Sequence, residues 1–360
     1  MNNSCRLREG GISMIKNLTL PVIAGAVAFG LAFGGQAVAQ QVTLKLHSFL
    51  PPPSNPVKTF LKPWISKVAK ASKGTLKVQY YPSMQLGGKP PQLADQVKDG
   101  VVDMIYTLPG YTAGRFPMLE VFELPFIHKN ALSTALAIQD YQAKHLKNEF
   151  KDYHVILLHN HAGSMFMTKK VKIRKVSDLK GLKIRTATRA GGWYLKSLGA
   201  VPIGAPLPKI PQMLSKGVIE GAMLPFEIAP AIKMQELASN FIQLAGDQPR
   251  MNTSTFAFLM NKNSYKKLSN AHKKVIDQFS GKNIAKWAGQ NWDDIEAPGE
   301  KVMRSKKKNS FLTIPAGEVA KMKEAAKPAI ARWIKIMKKK GIDGDQLISD
   351  ARAMIAKYNK

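Results

Sequence analysis

The chain has 360 residues, with 54 Lys and Arg against 24 Asp and Glu, a formal net charge of +30. That balance invites nucleic acid or an anionic membrane as partner. The lysines, however, are spread along the whole chain, on helix faces such as Lys323, Lys327 and Lys335, and no nucleic-acid module or aromatic-interleaved basic motif occurs. Nucleic-acid binding is therefore set aside in favour of a basic surface that attracts anions, or of a general lysine bias.

The start of the chain reads as a leader. Lys16 precedes an apolar run from Leu18 to Phe33, and Ala37-Val38-Ala39 supplies an A-x-A pattern before Gln40. Export to the periplasm with cleavage after about Ala39 is expected, from a start at either Met1 or Met14. The alternative, a membrane anchor, is disfavoured because the run is short and no charge flanks its far side. No other stretch is apolar enough to span a bilayer, so the cleaved protein is not expected to be membrane-embedded. Cys5, the one cysteine, is removed with the leader and is not at its cleavage junction, which leaves no disulfide, thiol chemistry or lipid attachment. Removing Arg6, Arg8, Lys16 and Glu9 leaves 51 basic and 23 acidic residues, net +28, in about 320 residues, a length that suits two domains.

Val42–His47 alternates as a first strand and stops in the proline-rich loop Phe49–Pro56. A helix follows over about 57–71, then the alternating strand Leu76–Tyr81, the turn 82–88, a helix over about 91–98 ended by Gly100, and a strand over 103–107. This β-α-β-α-β order marks a parallel sheet. Residues 109–125 read as an aromatic-rich loop, 131–150 as a long helix and 155–158 as a strand running into His159-Asn160-His161. Leu182–Ile184, a helix over 193–198 ended by Gly199, Val201–Ile203 and a helix over 210–216 ended by Gly217 form a second βαβ pattern. Further on come a helix over 228–237, strands over 241–244 and 255–260, and a helical run from Ser269 towards Met303 that Gly281 interrupts. Lys306–Lys308 is a solvated charge run. Phe311–Ile314 is a last strand, and apolar positions from Val319 to Met337 recur at helical spacing.

Few residues carry chemistry. Arg185 stands where the strand 182–184 runs out, and in open α/β sheets ligands sit beyond the carboxyl ends of strands. A guanidinium there either grips a carboxylate through two parallel hydrogen bonds or serves as an ordinary surface or ion-paired arginine. Arg189 is a second candidate or a simple neighbour. His159 and His161 share one face of a strand, but no third ligand lies nearby in sequence, so no metal is expected. No nucleophile is paired with a base, and no phosphate-loop or zinc-protease motif occurs, so neither an enzyme nor a cofactor is indicated.

An ordered set of short motifs now carries a resemblance: Tyr81-Pro82-Ser83-Met84-Gln85-Leu86-Gly87-Gly88, Gly100–Met104, Leu124-Pro125-Phe126, Asp178–Arg185, Leu198-Gly199-Ala200 and Gly217–Gly221. The chain resembles a solute receptor of the tripartite ATP-independent periplasmic (TRAP) transporters, of the DctP-like family, over nearly all of its mature length. The resemblance implies an α/β, two-lobed periplasmic-binding-protein-like fold, each lobe a mainly parallel sheet flanked by helices, joined by crossover strands and a long C-terminal helix region. It divides the chain into 40–162 plus about 250–290 as lobe I, about 163–249 plus 291–345 as lobe II, and a helical tail over 346–360. It also implies a small organic acid bound between the lobes on Arg185, then handed to integral membrane permease subunits. Rival readings are the receptor of an ATP-driven importer, a periplasmic enzyme, or a basic envelope or nucleic-acid-binding protein.

Two departures from sialic-acid receptors bear on the ligand. Their second arginine follows a Gly-Thr pair, where this chain has Gly163-Ser164-Met165, and their asparagine before a proline is replaced by Leu224. Metal-using keto-acid receptors have a Glu-Trp pair where this chain has Met223-Leu224. The resemblance thus implies a monocarboxylate with an apolar or aromatic body. Arg185 is its anchor, with Arg189 beside it. Met165, Phe166, Trp193, Leu224, Phe226, Phe49 and Tyr111 are wall candidates, and Glu227 is a hydrogen-bonding partner for the ligand or an orienter of an arginine.

Overall fold

The computed structural model describes residues 41–247 and 250–359, so the leader expected over 1–39 lies outside the described residues. Among them eleven strands occur: β1 (Val42–Ser48), β2 (Leu76–Tyr81), β3 (Met104–Thr107), β4 (Tyr153–Asn160), β5 (Met165–Thr168), β6 (Lys183–Thr186), β7 (Val201–Gly204), β8 (Gly221–Leu224), β9 (Asn240–Leu244), β10 (Thr255–Asn261) and β11 (Ser310–Ile314). They form two sheets, ordered β2-β1-β3-β10-β4 and β11-β9-β5-β8-β6-β7. In the first, β10 is antiparallel to both β3 and β4. In the second, β5 is antiparallel to both β8 and β9. The remaining pairs are parallel.

That mixture follows from how the chain travels. β5 enters the second sheet directly from β4 of the first, and β10 returns to the first after β9. Because each crossing strand starts at the edge where its new neighbours end, it must run against them. The carboxyl ends of β1, β3, β4, β6 and β8 and the starts of β5 and β10 are thereby brought to one cleft.

β5 and β8 form the middle of the second sheet and were absent from the expected elements. Their sequences, MFMT and GAML, are buried at every position and show no alternation, so no period-2 signal announces them. Other expectations shift in detail. The helix over 228–237 is a 3-10 turn, Ala229–Ile232, and a short helix, Met234–Leu237, separated by Lys233 at φ 56°. The run from Ser269 is three helices, Asn270–Gln278, Lys282–Asp294 and Glu296–Arg304. Gly281, at φ 54°, makes the first break and donates its N–H to the Ile156 carbonyl at 2.7 Å, which ties that break to β4.

The helix Ala131–His145 starts at Asn130, whose side chain accepts from Ser133 N at 2.8 Å, and ends earlier than the expected position 150. It packs against Lys282–Asp294 and the closing helix Gly344–Tyr358, while Ala316–Lys338 packs on Arg189–Ser197. Among the described residues no helix is long and apolar enough to cross a membrane.

Candidate functional site

Arg185 is the third of the four residues of β6, one step inside the strand rather than past its end. Its backbone lies opposite Ile203 of β7 and Ala222 of β8, so the side chain leaves from the middle of a sheet and is only 2% exposed. Nε donates to the Ala205 carbonyl at 2.8 Å and Nη1 to the Met223 carbonyl at 3.4 Å. The Tyr111 hydroxyl, which accepts from Leu207 N at 3.0 Å, also interacts with the guanidinium. Burial lowers the Arg185 pKa from its usual value. Among the described residues no carboxylate lies within ion-pair distance of it, although fourteen such pairs occur elsewhere.

The cavity that Arg185 faces encloses about 500 Å³ of atom-free space, solvent at its mouth included. Phe49, Leu108, Leu207, Leu224, Ile228 and Phe256 supply apolar walls. Phe49 and Tyr111 meet edge to face, centroids 5.2 Å apart, which fixes both rings. His161, Ser164, Asn252, Ser254 and Glu227 also line it. The lining is therefore less uniformly apolar than the replacements at Met165 and Leu224 imply.

Of the expected contacts, the fold brings together Phe49, Tyr111, Arg185, Leu224 and Glu227. Arg189 and Trp193 line an adjoining outer cleft instead, which shares Tyr111, Thr186 and Ala187 with the inner cavity. Arg189 is held there by Glu120, with Nε at 2.8 and 3.0 Å from its two oxygens and Nη2 at 2.7 Å. Its charge is thus matched within the protein. Trp193 lies under the guanidinium groups of Arg189 and Arg332, 5.1 and 5.0 Å from its ring centroid.

Met165, Phe166 and Phe226 are placed in the hydrophobic core and do not line the cavity. Phe166 packs with Ile184, Met223 and Ile242, and Phe226 with Phe241 and Phe311. The reason is geometric. β5 is covered on both faces, so its side chains point into two apolar layers, neither of which is the cleft.

Asn252, Ser254 and Phe256 were missed by the sequence reading. They flank the start of β10, and recognising that strand as a crossing strand would have placed them at the cleft. His161 was noted only for its spacing from His159. His159 bonds Tyr106 Oη at 2.7 Å and the Asn160 carbonyl at 3.1 Å, so both of its ring nitrogens are engaged. His161 sets its two ring nitrogens 2.9 Å from the N–H groups of Gly163 and Ser254, only one of which the neutral ring can accept. Among the described residues no group of three His, Cys, Asp or Glu could hold a metal ion.

Glu227 is 2% exposed. Burial, then the nearby Glu296 carboxylate, push its pKa well above the usual carboxylate value. Its backbone N–H donates to Glu296 Oε1 at 2.9 Å, and Glu296 Oε2 accepts from Arg250 at 3.1 Å. Glu227 Oε2 and the Trp292 indole N–H, both buried and without another partner among the described residues, are neighbours, and the indole N–H draws the Glu227 pKa part of the way back down, as does the Ile228 N–H.

Glu123 holds the start of β10, its Oε1 accepting from Thr255 N at 3.0 Å and Thr255 Oγ1 at 2.8 Å. Burial pushes its pKa up to about 8 from 4.5. A raised folded-state pKa contributes stability that is complete below the unfolded value and disappears as pH rises through the folded one. Glu149, pushed up to about 7 by burial, acts with the same sign. Melting temperature should therefore fall from pH 5 to pH 9, and Glu123→Gln should flatten that fall. Parallel melting curves for the two proteins would remove Glu123 from the account.

The match to known proteins agrees with this geometry. The family model for bacterial extracellular solute-binding protein, family 7 (DctP), matches residues 47–336. A marine-metagenome TRAP solute-binding protein specific for aromatic acid ligands, solved with 3-hydroxybenzoate, is 44% identical. The match covers 89% of this chain and 100% of that one, with a TM-score of 0.87. A TRAP solute-binding protein from Rhodoferax ferrireducens T118, solved with copurified benzoate, is also 44% identical, covering 88% and 98% with a TM-score of 0.86. The C4-dicarboxylate-binding periplasmic protein of Rhodobacter capsulatus is 25% identical over 227 residues, 62% of this chain and 68% of its own. A family match of this length settles the membership that the strand ends and their shared cleft suggest: the chain belongs to family 7 of the bacterial extracellular solute-binding proteins and is a TRAP solute-binding protein, a receptor rather than an enzyme.

Proposed function

We propose that the inner cavity binds a small aromatic monocarboxylate with its carboxylate on Arg185, and that the receptor delivers it in the periplasm to the membrane subunits of a TRAP permease. One observation carries this reading: a fully buried guanidinium, its pKa lowered by burial, faces a cavity without a carboxylate partner among the described residues. A buried cation is costly unless an anion meets it. A ligand carboxylate answers that need, while the Phe49, Leu224 and Phe256 walls suit an apolar body. The acids bound by the two 44% identical relatives fit the same description.

Closure of lobes divided near 163, 250 and 291 belongs to the same reading, as does removal of the leader after about Ala39. The Arg189–Glu120 ion pair, which joins residues of the two expected lobes, is then a contact of the closed form. A thermal-shift screen of aromatic acids, dicarboxylates and sugar acids tests the ligand class. A ligand at a hundred times its Kd stabilises by about 2.7 kcal/mol, a rise of about 5 °C for a chain of this size. Benzoate-like acids should give the largest rise. A dicarboxylate or sugar acid giving the best shift would overturn the assignment.

A further inference from the structure

We propose that Tyr111 is the second half of the carboxylate anchor: its hydroxyl donates to the ligand carboxylate held on Arg185, and does so from the other sheet's side of the cleft. This rests on the aromatic-acid reading above and adds to it a residue that sets how firmly the acid is retained. Tyr111 ends the 3-10 turn Pro109–Tyr111, which follows β3 of the first sheet. It lines both the inner cavity and the outer cleft, so it stands in the wall between them. Its ring is set edge to face on Phe49, centroids 5.2 Å apart. Its oxygen meets two groups that belong with the second sheet. It accepts from the N–H of Leu207, just past β7, at 3.0 Å, and it touches the guanidinium of Arg185 in β6.

A backbone N–H and a guanidinium can only donate. The phenol oxygen therefore accepts from both, and its own hydrogen goes to neither. Among the described residues the Tyr111 hydroxyl makes no hydrogen bond to an acceptor, so that hydrogen is available to a ligand. A phenol titrates near pH 10, and burial raises Tyr111 above that, so the hydrogen is present at neutral pH. Arg185 leaves room for a shared guest. It gives one N–H each to the Ala205 and Met223 carbonyls, and further N–H groups remain beyond these and the Tyr111 contact. A carboxylate has lone pairs enough for the remaining guanidinium N–H groups and the phenol hydrogen together. An amide of the same shape would turn its own N–H groups towards donors, so this end of the cavity selects a carboxylate over its neutral analogue. Because the two anchoring groups come from different sheets, a bound acid ties them together, and losing one of them should speed release more than it slows capture.

The test is benzoate binding at neutral pH to the wild-type protein and to Tyr111→Phe, by calorimetry and stopped-flow kinetics. Infrared spectra of bound benzoate, isotope-labelled in its carboxylate, are taken on both proteins. Tyr111→Phe keeps the ring that packs on Phe49 and removes only the hydroxyl. Its Kd should rise about 10- to 100-fold, the size of one hydrogen bond to a charged group. Most of that rise should be faster release, and the carboxylate band should move between the two proteins. A Kd within about threefold of the wild type, a loss confined to the association rate, or an unmoved carboxylate band would each overturn the proposal while leaving the aromatic-acid reading standing. An unmoved band with weaker binding would mean that the hydroxyl acts only through Leu207 or Arg185. If the wild type binds no benzoate, the aromatic-acid reading fails and takes this one with it. Should Tyr111→Phe not fold by circular dichroism, a crystal structure of the wild type with benzoate decides. A Tyr111 oxygen within about 3.0 Å of a carboxylate oxygen upholds the proposal, and any longer separation overturns it.

Discussion

Arg185→Met is expected to weaken binding of the preferred aromatic acid by about 10²–10³-fold and to leave the ligand-free protein as stable as the parent, or slightly more so. The first expectation follows from charge-assisted hydrogen bonds in a dry cavity. Removing one partner of such a buried pair costs about 2–5 kcal/mol, and each 1.4 kcal/mol is tenfold in affinity. The second follows from burial. Without a carboxylate beside it, the guanidinium has only the Ala205 and Met223 carbonyls and Tyr111 to offset its lost hydration. An apolar side chain of similar length removes that cost, at the expense of two carbonyl contacts. Arg185→Lys keeps the charge but loses the planar fork, so an intermediate loss of about tenfold is expected. An arginine serving only the fold would behave in the opposite way, with a large fall in melting temperature and an unchanged Kd. Calorimetry and thermal melts on the same preparations separate the two outcomes. A Kd for Arg185→Met within threefold of the parent would falsify the anchor assignment.

Gly299→Ala should damage both stability and binding. Gly299 lies in the helix Glu296–Arg304, where its backbone is pressed against the Phe226–Glu227 peptide. A β-carbon there would run into the Phe226 carbonyl oxygen, lie 2.6 Å from the Phe226 carbonyl carbon and 3.1 Å from Glu227 N. The obstacle is main chain, so no rotamer change relieves it. Either the helix backs away or the Phe226–Glu227 turn moves, and Glu227 N loses its bond to Glu296 Oε1. Overpacking of this kind costs about 1–3 kcal/mol, occasionally more. Because Glu227 lines the cavity, its displacement should also weaken binding of the preferred aromatic acid. Gly317→Ala is the matched control. It sits in the helix Ala316–Lys338 with nothing within 4 Å of the point where an alanine methyl group would stand, so its melting temperature should hold or rise slightly. If Gly299→Ala melted and bound like Gly317→Ala, the close approach would have no energetic meaning.

Much of the first sheet was legible because its first two strands alternate. VTLKLHS and LKVQYY carry the period-2 pattern of strands with one face buried, and the proline loop and Gly100 punctuate them. Arg185 was legible for a similar reason. LKIR follows a polar turn, and a helix and a second strand follow it at βαβ spacing, so its place near a strand's carboxyl end needed no coordinates. The middle of the second sheet was not legible. In β5 and β8 both faces are covered, every side chain is buried, and an apolar run of four residues has no period to read. The same cause misplaced Met165 and Phe166.

The chemical character of this protein is written in its sequence: α/β units, an arginine at a strand end, no catalytic pairing, and an ordered set of TRAP-receptor motifs. Those features depend on local spacing and side-chain type, which a linear reading preserves. What only the tertiary structure decided is which groups share a cavity and which are already engaged. Arg189 and Arg185 are four residues apart and chemically alike, yet one is answered by Glu120 and the other by no carboxylate among the described residues. That difference arises because Glu120 is brought to Arg189 from another part of the chain. Asn252, Glu227 and Arg185 likewise come from distant segments, and they meet only because strand ends and the starts of crossing strands converge on one cleft.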